Sequence, residues 1–377
     1  MALSTGRRAA ITVLVTAAFG GALYFALRGQ QQEQAAQIEQ QEVAAATVLR
    51  GVISLDVEGY FKDPRVQKVL AARRLPVEVV RVGSREMASR VVAGSAPDFF
   101  FTSGVVSANQ IVEAARKANL PAVQVAPFNS PLVIASWEPI AKILVANGLA
   151  KAVSPKVYGV DTEQLTKLML ARKRWKDLKD SSGYDVSRSV LVSTTDLRRS
   201  NSGALYLALT SAALNGDVVT DRATGQKLAL QLTELFKRQG YQENYVDGNF
   251  DDYVSIGIGK TPMAFLYEFQ IVRHALQKKG IGADMVLMYP QPTIVNKEVF
   301  VSLNERAKAL GELLASDAEL QGIAVEYGFR IADTERFVAA VKPTGLAVEP
   351  RVTQLVDPPS PEVMTEMIDT VAREMTQ

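Results

Sequence analysis

Short apolar runs alternate with amphipathic stretches from Gly51 onward, the pattern of strands handing over to helices. Val52-Ile53-Ser54-Leu55-Asp56 reads as a buried strand, followed by a loop and a helix opening near Pro64 with Val66, Val69 and Leu70 on one side. The unit recurs at residues 77–82 before Ser84, and at 98–102 before Ser103-Gly104 and a helix running to about Lys117. Such alternation predicts an α/β protein with a parallel sheet and ligand-facing loops at the carboxyl ends of the strands. Residues 130–135 form an apolar strand suited to crossing into a second region. Helices are expected there near 138–147 and 162–172, then a strand at 189–193 and a polar turn, 194–203, leading into a helix that ends near Gly216. Residues 263–267 are expected to make the return crossing, and 285–289 with the helices after it to complete the first lobe.

The N-terminus differs from the rest. Ala9 to Leu27 is an apolar run long enough to span a bilayer, with Arg7 and Arg8 before it and Arg28 after it. The leading arginines favour a cytoplasmic start and delivery of everything after Arg28 to the other face. A cleaved signal peptide is the alternative, but Leu23-Tyr24-Phe25-Ala26-Leu27 is bulky where cleavage wants small residues. Residues 29–47, rich in Gln, Glu and Ala, read as a linker. The expected division is thus 1–28 cytoplasmic start and anchor, 29–47 linker, 48–130 with 263–345 as lobe 1, 131–262 as lobe 2, and 346–377 as a C-terminal segment with a helix.

Composition narrows the chemistry. The 377 residues are 47% hydrophobic and 22% charged, with 42 basic and 40 acidic side chains, so no global positive field invites nucleic acid. Without cysteine there are no disulfides, thiolate metal sites, thiol nucleophiles or lipidated cysteine. A single histidine, His274, excludes multi-histidine zinc sites. No paired nucleophile and base stands out, so no catalytic residue, metal or cofactor is assigned.

The chain resembles the type 2 periplasmic-binding-protein superfamily, bacterial extracellular solute-binding proteins, over roughly Gly51 to Ala340. The resemblance rests on Ser130-Pro131-Leu132-Val133-Ile134-Ala135, Trp175-Lys176-Asp177-Leu178, Ser193-Thr194-Thr195-Asp196 with Ser200-Asn201-Ser202-Gly203, Phe265-Leu266-Tyr267-Glu268 and Tyr289-Pro290-Gln291-Pro292-Thr293. Ser316-Asp317-Ala318-Glu319-Leu320-Gln321, followed by Gly328-Phe329-Arg330, adds to it. It implies two lobes closing over a small polar solute, anions among the candidates, for an ABC permease. A membrane-tethered protein on the periplasmic side of the inner membrane is the expected form. An anchored sensor or partner-binding envelope protein on the same scaffold is the competing reading.

Several loops offer ligand groups. Thr194, Thr195, Ser200 and Ser202 supply hydroxyls at a helix start, with Arg198 and Arg199 adding charge for an oxyanion or carboxylate. The plainer role is that Ser200 or Ser202 caps the helix while both arginines face solvent. Ser84 with Arg85, and Ser103, sit where strands hand over to helices in the other lobe. Tyr267 and Glu268 fall at the hinge, and Glu58 in the first loop is a carboxylate candidate or a solvated surface group. Gly259-Lys260-Thr261 is no phosphate loop, because Val254 replaces the first glycine and Pro262 opens a strand. Asp251-Asp252 reads as a helix N-terminal turn, not a calcium site. Near the C-terminus Ser360 caps and Pro361 starts a helix carrying Val363, Met364, Met367, Ile368 and Val371, which packs on the body or docks another envelope protein.

Overall fold

A computed structural model describes residues 48–84, 86–277 and 281–376. The apolar run from Ala9 to Leu27, the linker and Arg85 lie outside the described residues. Among the described residues no helix is long and apolar enough to cross a membrane.

The sheet is one surface with two halves joined by a long strand. In the first half β1 (Leu49–Ile53) lies between β2 (Val77–Arg81) and β3 (Phe99–Ser103), all parallel. The joining strand is β4 (Val123–Trp137), 15 residues long. Its first part pairs antiparallel with β9 (Val295–Ser302), which also borders β3. Its second part pairs antiparallel with β7 (Met263–Tyr267) and with β8 (Met285–Gln291). Beyond β8 come parallel β6 (Val157–Asp161) and the antiparallel edge strand β5 (Ala150–Ser154). The register of β4 on β9 shifts between Val125 and Phe128. Pro127 sits there, where a strand lacking an N–H is best accommodated by a bulge that also bends it.

Helices cover both faces. In the first half these are α1 (Leu55–Lys62), α2 (Pro64–Ala72) and α3 (Val105–Lys117). The middle of the chain supplies α4 (Glu138–Ala146), α5 (Thr162–Leu170), α6 (Asn201–Asn215), α7 (Arg222–Lys237) and α8 (Val246–Ser255). After β7 come α9 (Glu268–Leu276), α10 (Glu305–Ser316), α11 (Ala318–Glu326), α12 (Thr334–Val341) and α13 (Pro361–Met375). Side-chain caps set several of their starts: Asp63 accepts from Arg65 N at 2.8 Å ahead of Pro64, and Ser360 accepts from Val363 N at 3.4 Å ahead of Pro361. Helix α6 is buried on every side from Ser202 to Ala213, in keeping with its mostly apolar composition. Gly216, at φ 81°, ends it. On α7, Gly225 leaves room for Val363 and Met367 of α13, which therefore packs flat against it.

Aromatic rings fill the core of the first half. Phe99 stacks on Phe300 at 4.8 Å, Phe128 on Phe329 at 5.6 Å, and Phe329 on Phe269 of α9 at 4.8 Å. Each such pair adds roughly 0.5–1.5 kcal/mol beyond its area burial. A buried ion pair ties the halves together: Arg330 donates to Glu268 at 2.5 and 2.8 Å and to the carbonyls of Glu349 and Pro350, while Tyr289 of β8 also donates to Glu268. The charges of this group are met by hydrogen-bond partners on both sides, which is what makes a buried ion pair tolerable.

Several expectations are corrected. The sheet is mixed, because β4 and β9 run against their neighbours. β1 stops at Ile53 and a helix starts at Leu55, so Asp56 is in a helical first turn and not in a strand. Residues 189–193 make only bridges, Arg174 to Ser189 and Ser193 to Ala264. Residues 285–289, assigned to the first lobe, pair with β6 and the second part of β4, because the chain returns to the other half only between β8 and β9. Asp251 and Asp252 lie inside α8, with Asp252 paired to Lys260 at 2.7 Å.

Candidate functional site: a polar cleft between the sheet halves

The ends of β1 and β3, the start of α6 and the end of β7 converge on an open cleft of about 1050 Å³. The two halves of the sheet approach closely at its floor. Gly104 follows β3 at φ 91°, and a Cβ there would lie 3.3 Å from Asn296 Oδ1 and 3.4 Å from Asn201 Nδ2. Only glycine combines that backbone with that approach. Asn201, the first residue of α6, donates in turn to the Tyr267 hydroxyl at 3.1 Å. The loop from one half, the helix start from the other and the end of β7 are thus in direct contact.

Behind this contact is a buried polar cluster. Asn296 Nδ2 donates to Ser103 Oγ and to Glu298 Oε1, both at 2.8 Å, and Ser103 Oγ donates to Glu298 Oε1 at 3.2 Å. Among the described residues Glu298 Oε2 has no partner, nor has Ser54 Oγ at the end of β1, although both are buried. Burial drives the Glu298 carboxyl well above its ordinary range, and the Asp56 charge adds to this. Burial likewise pushes Asp56 up to about 6, opposed by the Ser103 hydroxyl, reinforced by Asp247 and opposed by Arg273. The Tyr267 phenol, buried beside both carboxyls, is raised and stays neutral.

The rim carries both signs of charge. Arg81 pairs with Glu58 at 3.2 Å, and Glu58 also takes Lys62 at 2.6 Å, so that carboxylate is already paired. Asp247 accepts from Gln270 at 3.2 Å and sits 3.5 Å from Arg273. Among the described residues Asp56, Glu86, Arg90, Arg199 and Asp369 line the cleft without an ion pair.

Of the residues singled out from sequence, Ser84, Ser103, Arg198, Ser200 and Tyr267 line the cleft. Thr194, Thr195 and Ser202 do not. Thr194 N donates to Gln239 Oε1 at 2.8 Å, while Thr195 and Ser202 share a hydrogen bond at 2.7 Å in the buried base of the loop, with Ser200 Oγ 3.0 Å from Ser202 Oγ. Their hydroxyls hold the turn in shape. Arg198 reaches the cleft, but its guanidinium is engaged by Asp196 at 2.6–3.1 Å. Burial works against the Asp196 charge, and the Arg198 guanidinium and N–H outweigh it, keeping that carboxyl below its usual value. Arg85 is outside the described residues. Ser84 is placed by a relay in which Thr102 donates to Ser107 and Ser107 to the Ser84 carbonyl, each at 2.7 Å. Sequence reasoning missed Ser54, Asp56, Asn296 and Glu298. A strand boundary set at Ile53 would have exposed Ser54 as the strand-to-helix junction and Asp56 as a residue of the helix's first turn; the last two come from β9 and carry no local signal.

No protein-family model matches the chain, and no curated protein sequence does. Solved structures do match. Iron-bound HitA from Pseudomonas aeruginosa has a TM-score of 0.53 at 12% identity, covering 88% of this chain and 100% of its own. AfuA from Actinobacillus pleuropneumoniae, a periplasmic binding protein with bound fructose-6-phosphate, has a TM-score of 0.53 at 13% identity over 87% of this chain and 98% of its own. An ABC transporter structure from Clostridium perfringens has a TM-score of 0.54 at 14% identity, covering 87% and 99%. The chain has the fold of the type 2 periplasmic solute-binding proteins. At these identities the likeness concerns the fold.

Proposed function

We propose that this protein captures a small polar solute in the cleft between the sheet halves and delivers it to an ABC-type permease, without transforming it. One observation carries the reading: strand-end and helix-start groups from both halves, Ser103 and Gly104 on one side and Asn201 on the other, meet at the floor of one open, polar cleft. Its volume suits a metabolite-sized ligand, and closure of two halves on such a ligand excludes water from its polar contacts. Arg90 and Arg199 supply charge for an anionic group at the rim, a role that Arg198 shares less because Asp196 already holds it. In this reading residues 9–27 tether the body to the outer face of the inner membrane.

Thermal-shift screening of the full chain in detergent against oxyanions, carboxylates, sugars, amines and metal ions tests this. A ligand selective for the folded state raises the melting temperature. A saturable rise from one chemical class supports capture. A well-folded sample that responds to none of them argues instead for an anchored, partner-binding protein.

A further inference from the structure

We infer that the floor of the cleft receives an ammonium group, so that the captured solute is an organic amine seated between Ser54 and Asp56. This assignment rests on the solute-capture reading and specifies its chemistry. The floor leaves polar groups open to a ligand. Among the described residues Asp56 lines the cleft with no ion pair, and Ser54 lines it with a buried hydroxyl that has no partner. Buried polar groups are ordinarily satisfied, so a carboxylate that has the Ser103 hydroxyl on one side but no ion pair among the described residues, beside an unpartnered hydroxyl, suits a donor-rich group. The neighbouring amide donors are engaged elsewhere: Asn201 with Tyr267, Asn296 with Ser103 and Glu298, and Gln270 with Asp247. An ammonium brings three N–H donors and one positive charge, matching these acceptors. A bare metal ion fits less well, because among the described residues no group of three His, Asp or Glu side chains is placed to hold one. An anion is disfavoured at this depth by Asp56 itself, while the arginines that would suit it stand at the rim.

The assignment has a pH signature. The charged and polar groups facing Asp56 are Glu298 from β9, Asp247 from α8, Arg273 from α9, Tyr267 from β7 and Ser103 from β3. With Asp56 titrating at about 6, its charged fraction falls roughly tenfold from pH 7 to pH 5 while an alkyl ammonium stays protonated. The test titrates the full chain in detergent calorimetrically with putrescine, γ-aminobutyrate, succinate, sulfate and glucose at both pH values. The expected result is binding by an ammonium-bearing probe, weakened roughly tenfold at pH 5 and at least as much by Asp56→Asn with the far-UV spectrum unchanged. The pH profile of the unaltered protein tests the assignment whether or not the variant folds. Binding by succinate, sulfate or glucose alone overturns the amine assignment and leaves solute capture standing. Binding of an amine that is indifferent both to pH and to Asp56→Asn removes the amine from the floor. No binding by any of the five overturns both.

Discussion

Asp56 keeps a carboxyl in a place where protein surrounds it on most sides and no described residue forms an ion pair with it, and its stability effect follows from the direction of its shift. Its pKa rises from 3.8 to about 6 on folding, so the folded state holds the proton more tightly than the unfolded state. The cost to folding is absent below the unfolded value, grows as pH rises between the two, and is complete above the folded value. Asp56→Asn is therefore expected to raise the stability of the ligand-free protein at pH 8 by up to about 3 kcal/mol, and to change it little near pH 3.5. Urea denaturation at both pH values checks this; an equal gain at both would show that the carboxyl's charge is not the cause. A stabilising substitution that removes ligand binding is the pattern expected of a group retained for function. Arg198 illustrates the opposite case. Its position in the sequence marks it for an anion, but Asp196, two residues away, is a closer partner than any solute.

The loop that carries Arg198 and Asn201 depends on one glycine. A Cβ at Gly203 would lie 2.4 Å from the Thr195 carbonyl oxygen and 2.9 Å from Leu197 Cα and N, all backbone atoms that cannot swing aside. Gly203→Ala is expected to cost about 1–3 kcal/mol and to weaken solute binding by moving Asn201, as measured by denaturation and titration of the same sample. Unchanged affinity would show that Asn201 does not position the site. Much at this scale was legible in the sequence. Pro64, Ser360-Pro361 and Gly216 announce helix ends, and the structure uses each of them so, with Asp63 as the cap ahead of Pro64. The β5–β6 hairpin was not legible, because β5 is largely exposed and its Ala-Lys-Ala-Val-Ser run lacks the apolar alternation of a half-buried strand. Nor was α1, since the apolar run through Leu55 conceals where strand gives way to helix.

At the scale of the molecule, the order of strands and helices signals an α/β body, but not which half each strand joins. β8 shows why: Met-Val-Leu-Met-Tyr is apolar enough for either half, and only long-range pairing with β6 and β4 decides. The cleft was legible as a set of strand-to-helix loops, and its floor was not, because Asn296 and Glu298 come from a strand interior nearly 200 residues beyond Ser103. What joins these levels is the claim that one solute is held by both halves at once. Hydrogen exchange on the full chain, with and without a solute that raises its melting temperature, tests that claim most directly. The account predicts that the solute slows exchange together at residues 54–57 and 103–106 of one half and 201–204 of the other. Protection confined to one half, or appearing only away from the cleft, would contradict it.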